Sequence, residues 1–120
     1  MSNEQRAISN EFLLVTQHSL LIAYSLCMVV GVCSIELFLH GNDSLKGKRQ
    51  VLKSIKDRVK NNFNVSIAEV DDNDKWQIAK IGVAAISNEK GHVNSMLNKV
   101  VEFIDKMHLA EMIGYNIEIY

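Results

Sequence analysis

The 120-residue sequence predicts an α+β domain, on three observations. Period-two apolar alternation marks four strands, 3.6-residue spacing marks two helices, and from residue 28 onward their order is strand, helix, strand, strand, helix, strand. That order is the split βαβ, or ferredoxin-like, arrangement. Right-handed crossovers then place both helices on one face of a four-stranded antiparallel sheet and leave the opposite face open.

Each element has its own warrant. Val29 to Leu39 alternates, with Ile35, Leu37 and Leu39 on one face and Ser34, Glu36, Phe38 and His40 on the other. Gly41, Asn42 and Asp43 break this strand, and Ser44 is a natural N-cap for a helix that should end at Asn61 and Asn62. Asn64 to Val70 reads as a strand, Asp71 to Asp74 as a turn, and Lys75 to Ile86 as the next strand. Ser87 or Asn88 should cap a second helix with an apolar face of Val93, Met96, Leu97, Val100, Phe103, Ile104 and Met107. Ile113 to Tyr120 closes the chain. The strands beginning at Val29 and Lys75 should be central, and the open face should show Glu36, Phe38, Trp76, Ile78, Asn116 and Glu118.

The domain is expected to span residues 28–120. Residues 1–27 are expected to be an extension outside it, disordered or the product of a non-native start, with Met28 the alternative start. The apolar run Phe12 to Cys33 is interrupted by Gln17 and His18 and follows no basic cluster, so neither a membrane span nor a signal peptide is expected. Cys27 and Cys33 lack CxxC spacing and are expected to be free thiols in a reducing cytoplasm.

Charge is strongly segregated. Ser44 to Phe63 holds seven of the 13 Lys and Arg residues beside a single acid, Asp57. At roughly 100° per residue, Lys46, Arg49, Lys53, Lys56 and Lys60 share an arc of about 80°, and Leu45, Val51, Leu52, Ile55 and Val59 fill a neighbouring arc of about 120°. One face can pack while the next meets an anion. A same-sign stripe gains no i,i+4 ion pairs and repels itself, so it is less bland than the mixed charge of an ordinary solvated face. It is read as a phosphate-contacting surface. RNA is expected rather than DNA, because no recognised DNA-reading scaffold surrounds the helix and structured RNA can be held by shape and phosphate contacts.

Other constellations are weaker. Phe38, Trp76 and Ile78 on the open face are read as an oligomer interface, and a homodimer is expected. The comparison with base-stacking aromatics of RNA-recognition motifs is poor, since no RNP1-like pattern occurs and Glu36 and Glu118 lie nearby. Glu69, Asp71, Asp72 and Asp74 lack the Gly and terminal Glu of a calcium loop, and His18, His40, His92 and His108 show no HxxxH spacing, so no metal or cofactor is expected. No GxSxG, Walker A or GxGxxG pattern gives an enzyme reading a foothold.

The segments MVVGVCSIELFLHG, SLKGKR, RVKNNFNVSIAEVDDND and WQIAKIGVAAISN, followed by a helix and a strand, resemble the YlxP-like proteins, a bacterial domain family of unknown function. The resemblance covers Met28 to Tyr120 and implies the same ferredoxin-like fold. It also implies a gene neighbourhood tied to translation initiation and ribosome maturation, with no catalytic residues to carry over. One departure is Gly47, where the family often has an acid that would complete a capping box with Ser44. The sequence is therefore read as a non-enzymatic, cytoplasmic RNA-binding accessory factor that contacts RNA or a ribosomal particle. The competing reading is a homo-oligomeric regulatory or scaffold module that binds a protein or small ligand on its sheet face.

Overall fold

The computed structural model describes residues 28–71 and 74–120. They form β1 (Val29–Phe38), α1 (Leu45–Asn62), β2 (Ser66–Asp71), β3 (Ile78–Ser87), α2 (Lys90–Met107) and β4 (Glu111–Ile119). All four strands join one antiparallel sheet in the order β2-β3-β1-β4, so β1 and β3 are central. This is the expected α+β ferredoxin-like arrangement. The expected extension, residues 1–27, lies outside the described residues.

Strand alternation builds the core. Cys33, Ile35 and Leu37 of β1 and Ala79, Ile81, Val83 and Ala85 of β3 are buried beneath the helices. Leu52, Ile55 and Val59 of α1 and Val93, Leu97, Val100, Val101 and Ile104 of α2 close over them. α2 lies across β1, β3 and β4, whereas α1 lies over β2 and beside α2. The approach of α2 is close: a Cβ on Gly31 would stand 2.3 Å from Val93 Cγ1 and 2.8 Å from Leu97 Cδ1. Phe63, which closes α1, and Phe103 of α2 meet edge to face at 5.3 Å between ring centroids.

β2 runs Ser66–Asp71, where the sequence predicts Asn64 to Val70, and three further boundaries differ for reasons visible in the structure. β3 begins at Ile78, not Lys75, because the Lys75 carbonyl is taken by Lys48 Nζ at 2.7 Å and the Trp76 carbonyl by Asn42 Nδ2. Trp76 therefore precedes the central strand and is not on it. β4 begins at Glu111, earlier than Ile113, because a bulge between the pairs Glu36–Gly114 and Leu37–Met112 absorbs Ile113 and lets pairing continue. The N-cap of α2 is Glu89, neither Ser87 nor Asn88; the Ser87 hydroxyl instead accepts from the Glu89 amide at 3.4 Å. Ser44 caps α1 as expected and accepts from Gly47 N at 3.0 Å.

Candidate nucleic-acid interface

α1 displays its cations as the helical periodicity requires. Lys46, Arg49, Lys53 and Lys60 are exposed, Asn61 lies exposed on their flank, and Arg58 is exposed on the other side of the helix. Lys56, at the margin of the apolar arc, is half-buried. The one acid of the helix, Asp57, is spent on Lys53, which it meets at 2.9 Å across one turn. That hydrogen bond raises the Lys53 pKa and lowers that of Asp57, with Lys60 and Lys56 adding to the Asp57 effect. No acid occupies the first turn. The five sequence-predicted cations thus share one helix, with Lys53 partly neutralised.

Lys48 is the residue the charge pattern concealed. It is 1% exposed, packed among Leu52, Ile55 and Val59 on the buried side of α1. Its ammonium meets Glu69 Oε2 of β2 at 2.9 Å and donates to the Lys75 carbonyl at 2.7 Å. Glu69 turns inward because it pairs in register with Ile81 of the core face, and a bulge follows at Val70. The Glu69 oxygen lies in an ion contact without a well-directed hydrogen bond. The signal was available: at 100° per residue Lys48 sits in the middle of the apolar arc.

The three predicted interface residues come together, though on different supports. Phe38 and Ile78 are cross-strand partners at the end of β1 and β3, and Trp76 stands in the loop before β3, 53% exposed. With Asn42, Asp43 and Asp74 they line an open hollow of about 620 Å³. Glu36, Asn116 and Glu118 lie on the open face by register, as expected.

The remaining candidates separate. Glu69 is committed to Lys48, Asp72 lies outside the described residues, and no group of three or more potential ligands among the described residues is placed to hold a metal ion. His40 hydrogen-bonds Glu111 and packs edge-on to Phe38, while His108 takes a left-handed conformation at the end of α2; both border a hollow of about 460 Å³ with Asp105. His18 and Cys27 lie outside the described residues. Cys33 is a free thiol, fully buried, and burial pushes its pKa up from 9.0 to about 11, which keeps it protonated and unreactive at neutral pH. Among the described residues, no helix is long and apolar enough to cross a membrane.

The family described as "Protein of unknown function (DUF503)" matches residues 30–117. The chain belongs to this family. A relative in Bacillus subtilis (strain 168), described as "Uncharacterized protein YlxP", is 42% identical over 77 residues, covering 64% of this chain and 84% of the relative. Among solved structures, the de novo designed protein Foldit4 is similar at a TM-score of 0.44 and 16% identity, covering 78% of this chain and 93% of that one. The structural-genomics protein YJCS is similar at a TM-score of 0.40 and 12% identity, covering 74% and 96%. Both α1 and the hollow beside Trp76 fall within the segment matched by the DUF503 family.

Proposed function

We propose that this DUF503 protein is a non-enzymatic, cytoplasmic RNA-binding accessory factor that holds the phosphate backbone of RNA or a ribosomal particle on α1. The observation that carries the reading is the segregation on that helix: Leu52, Ile55 and Val59 are buried, while Lys46, Arg49, Lys53 and Lys60 are exposed together beside a single acid. A row of cations at spacings of three and four residues, on a helix rigidly packed against a sheet, presents charge at fixed positions to a polyanion. Such contacts position RNA without reading its sequence.

Filter binding across a salt series tests this. Contact with about three to five phosphates gives a slope of log affinity against log salt of about −2 to −4, the single-strand counterion relation. Replacing Lys46, Arg49 and Lys60 together by Glu is expected to abolish binding while the fold survives, since all three are exposed. Equal binding by the triple variant, or no binding by wild type to RNA or to intact ribosomal particles, overturns the reading.

A second reading has its own support in the open sheet face, where Val32, Val70 and Ile86 are exposed around the small residues Ala68, Gly82 and Ala84. An apolar sheet face of this kind is suited to a second copy of the chain, which gives the homo-oligomeric module.

A further inference from the structure

Trp76 is an exposed aromatic on a backbone held by hydrogen bonds to each carbonyl from Lys75 to Gln77. Three successive carbonyls are engaged. Lys75 O accepts from buried Lys48 at 2.7 Å, Trp76 O accepts from Asn42 Nδ2, and Gln77 O accepts from the Leu39 amide at 2.7 Å. The same Asn42 nitrogen donates to the Ser44 carbonyl at 2.8 Å, and Gln77 Nε2 donates to the Asn42 carbonyl at 3.3 Å. Trp76 is thus tied through Asn42 to the N-cap of α1, two residues before Lys46, the first exposed cation of the stripe. A 53% exposed indole on so constrained a backbone loses little entropy when a flat ligand covers it.

We infer that Trp76 is a stacking platform for an unpaired nucleobase of the RNA whose backbone α1 holds, a site that rests on the proposed RNA reading. The neighbouring charges fit this division of labour. Asp43, Asp74 and the cation Lys75 line the hollow beside Trp76; the two carboxylates outnumber the ammonium, and they can accept from the N–H groups on a base edge. Phe38 and Ile78 supply an apolar floor. Phosphate lies on the cationic helix, and the base turns away from it into the aromatic and acidic hollow. The preferred ligand is therefore RNA with single-stranded nucleotides, not a blunt duplex. Buried Lys48 is a positioning residue in this scheme, acting through the Lys75 carbonyl.

Trp76 is the single tryptophan of the chain, so intrinsic fluorescence of the full-length protein reports this site alone. The test titrates the protein with an RNA hairpin carrying a single-stranded overhang and with the same hairpin made blunt, at several salt concentrations. The overhang RNA is expected to quench Trp76 and to bind more tightly than the blunt one. Trp76→Ala should weaken overhang binding by about 5- to 150-fold, the range for loss of one base–aromatic stack, with the salt slope unchanged, and Trp76→Phe should restore most of the affinity. Lys48→Met, or Asn42→Ala should Lys48→Met fail to fold, should reduce the overhang preference while the salt slope persists. Salt-dependent binding with no quenching and no effect of Trp76→Ala overturns the stacking site and leaves the α1 reading standing. A Trp76→Ala change that converts a dimer to monomers without weakening RNA binding also overturns it. No binding of either RNA by wild type removes both.

Discussion

Gly47 sits in the first turn of α1 directly beneath the Asn42 side chain: a Cβ built there would stand 2.3 Å from Asn42 Oδ1. Replacing a helix-interior glycine by alanine ordinarily stabilises by about 0.5–1 kcal/mol. Here the added methyl must displace an amide that bridges the Ser44 and Trp76 carbonyls. Gly47→Ala is therefore expected to lower stability by about 0.5–1.5 kcal/mol, roughly the net worth of one hydrogen bond. In an Asn42→Ala background the same change should become stabilising. A chemical-denaturation double-mutant cycle checks the reversal, and a stabilising Gly47→Ala in wild type would show that Asn42 is free to move aside. From sequence alone, Gly47 looked like a missing capping-box acid. Its true reason, a side chain packed over the turn from five residues upstream, leaves no trace in helical periodicity. Lys48 differs, because its place in the middle of the apolar arc was readable and only its charge disguised it.

Elements were legible where local pattern sets them and illegible where distant groups do. Ser44 as the α1 cap, the apolar faces of both helices and the central position of β1 all followed from spacing. The start of β3 did not, because it depends on hydrogen bonds to Lys75 and Trp76 from residues 27 and 34 positions away. The bulge that lets β4 begin at Glu111 is likewise a property of the pairing with β1. The end of α2 offers a test at this scale. His108 closes the helix at φ 55° and ψ 28°, with its amide donating to the Asp105 carbonyl at 3.4 Å. A left-handed conformation costs an L-residue with a Cβ roughly 1–2 kcal/mol, and glycine, the usual residue at such a position, avoids that cost. After the larger chain entropy of glycine is set against this, His108→Gly should raise stability by about 0.5–1 kcal/mol, read from the urea midpoint. A lower midpoint would mean that the imidazole contributes more at the rim of its hollow than the backbone strain costs.

At the scale of the whole molecule the two sides of the sheet have different chemistry. The helix side ends outward in the cations of α1, and the open side presents Val32, Val70 and Ile86 around Ala68, Gly82 and Ala84. The Val70 side chain lies over Gly82, where an added Cβ would stand 2.9 Å from Val70 Cγ1, so the surface stays low at its centre. Glu36 and Lys80 are cross-strand partners on this face. In a two-fold pairing of two such faces, each carboxylate can therefore meet the other copy's ammonium. Four strands about 4.8 Å apart and about 30 Å long offer roughly 600 Å² per copy, at the lower limit for a stable interface. A dimer formed this way leaves α1 exposed on both outer surfaces, so dimerisation and phosphate contact on α1 are compatible. Light scattering is expected to give twice the chain mass for wild type. Val32→Glu, which places an uncompensated charge in the packed face, should give monomers with an unchanged circular dichroism spectrum. Trp76→Glu should remain dimeric, because Trp76 stands in the loop before β3 and off the paired strands. Wild-type monomers at the highest concentration reached would remove the sheet-face dimer, and dissociation by Trp76→Glu with Val32→Glu intact would move the interface to the hollow of Phe38, Trp76 and Ile78.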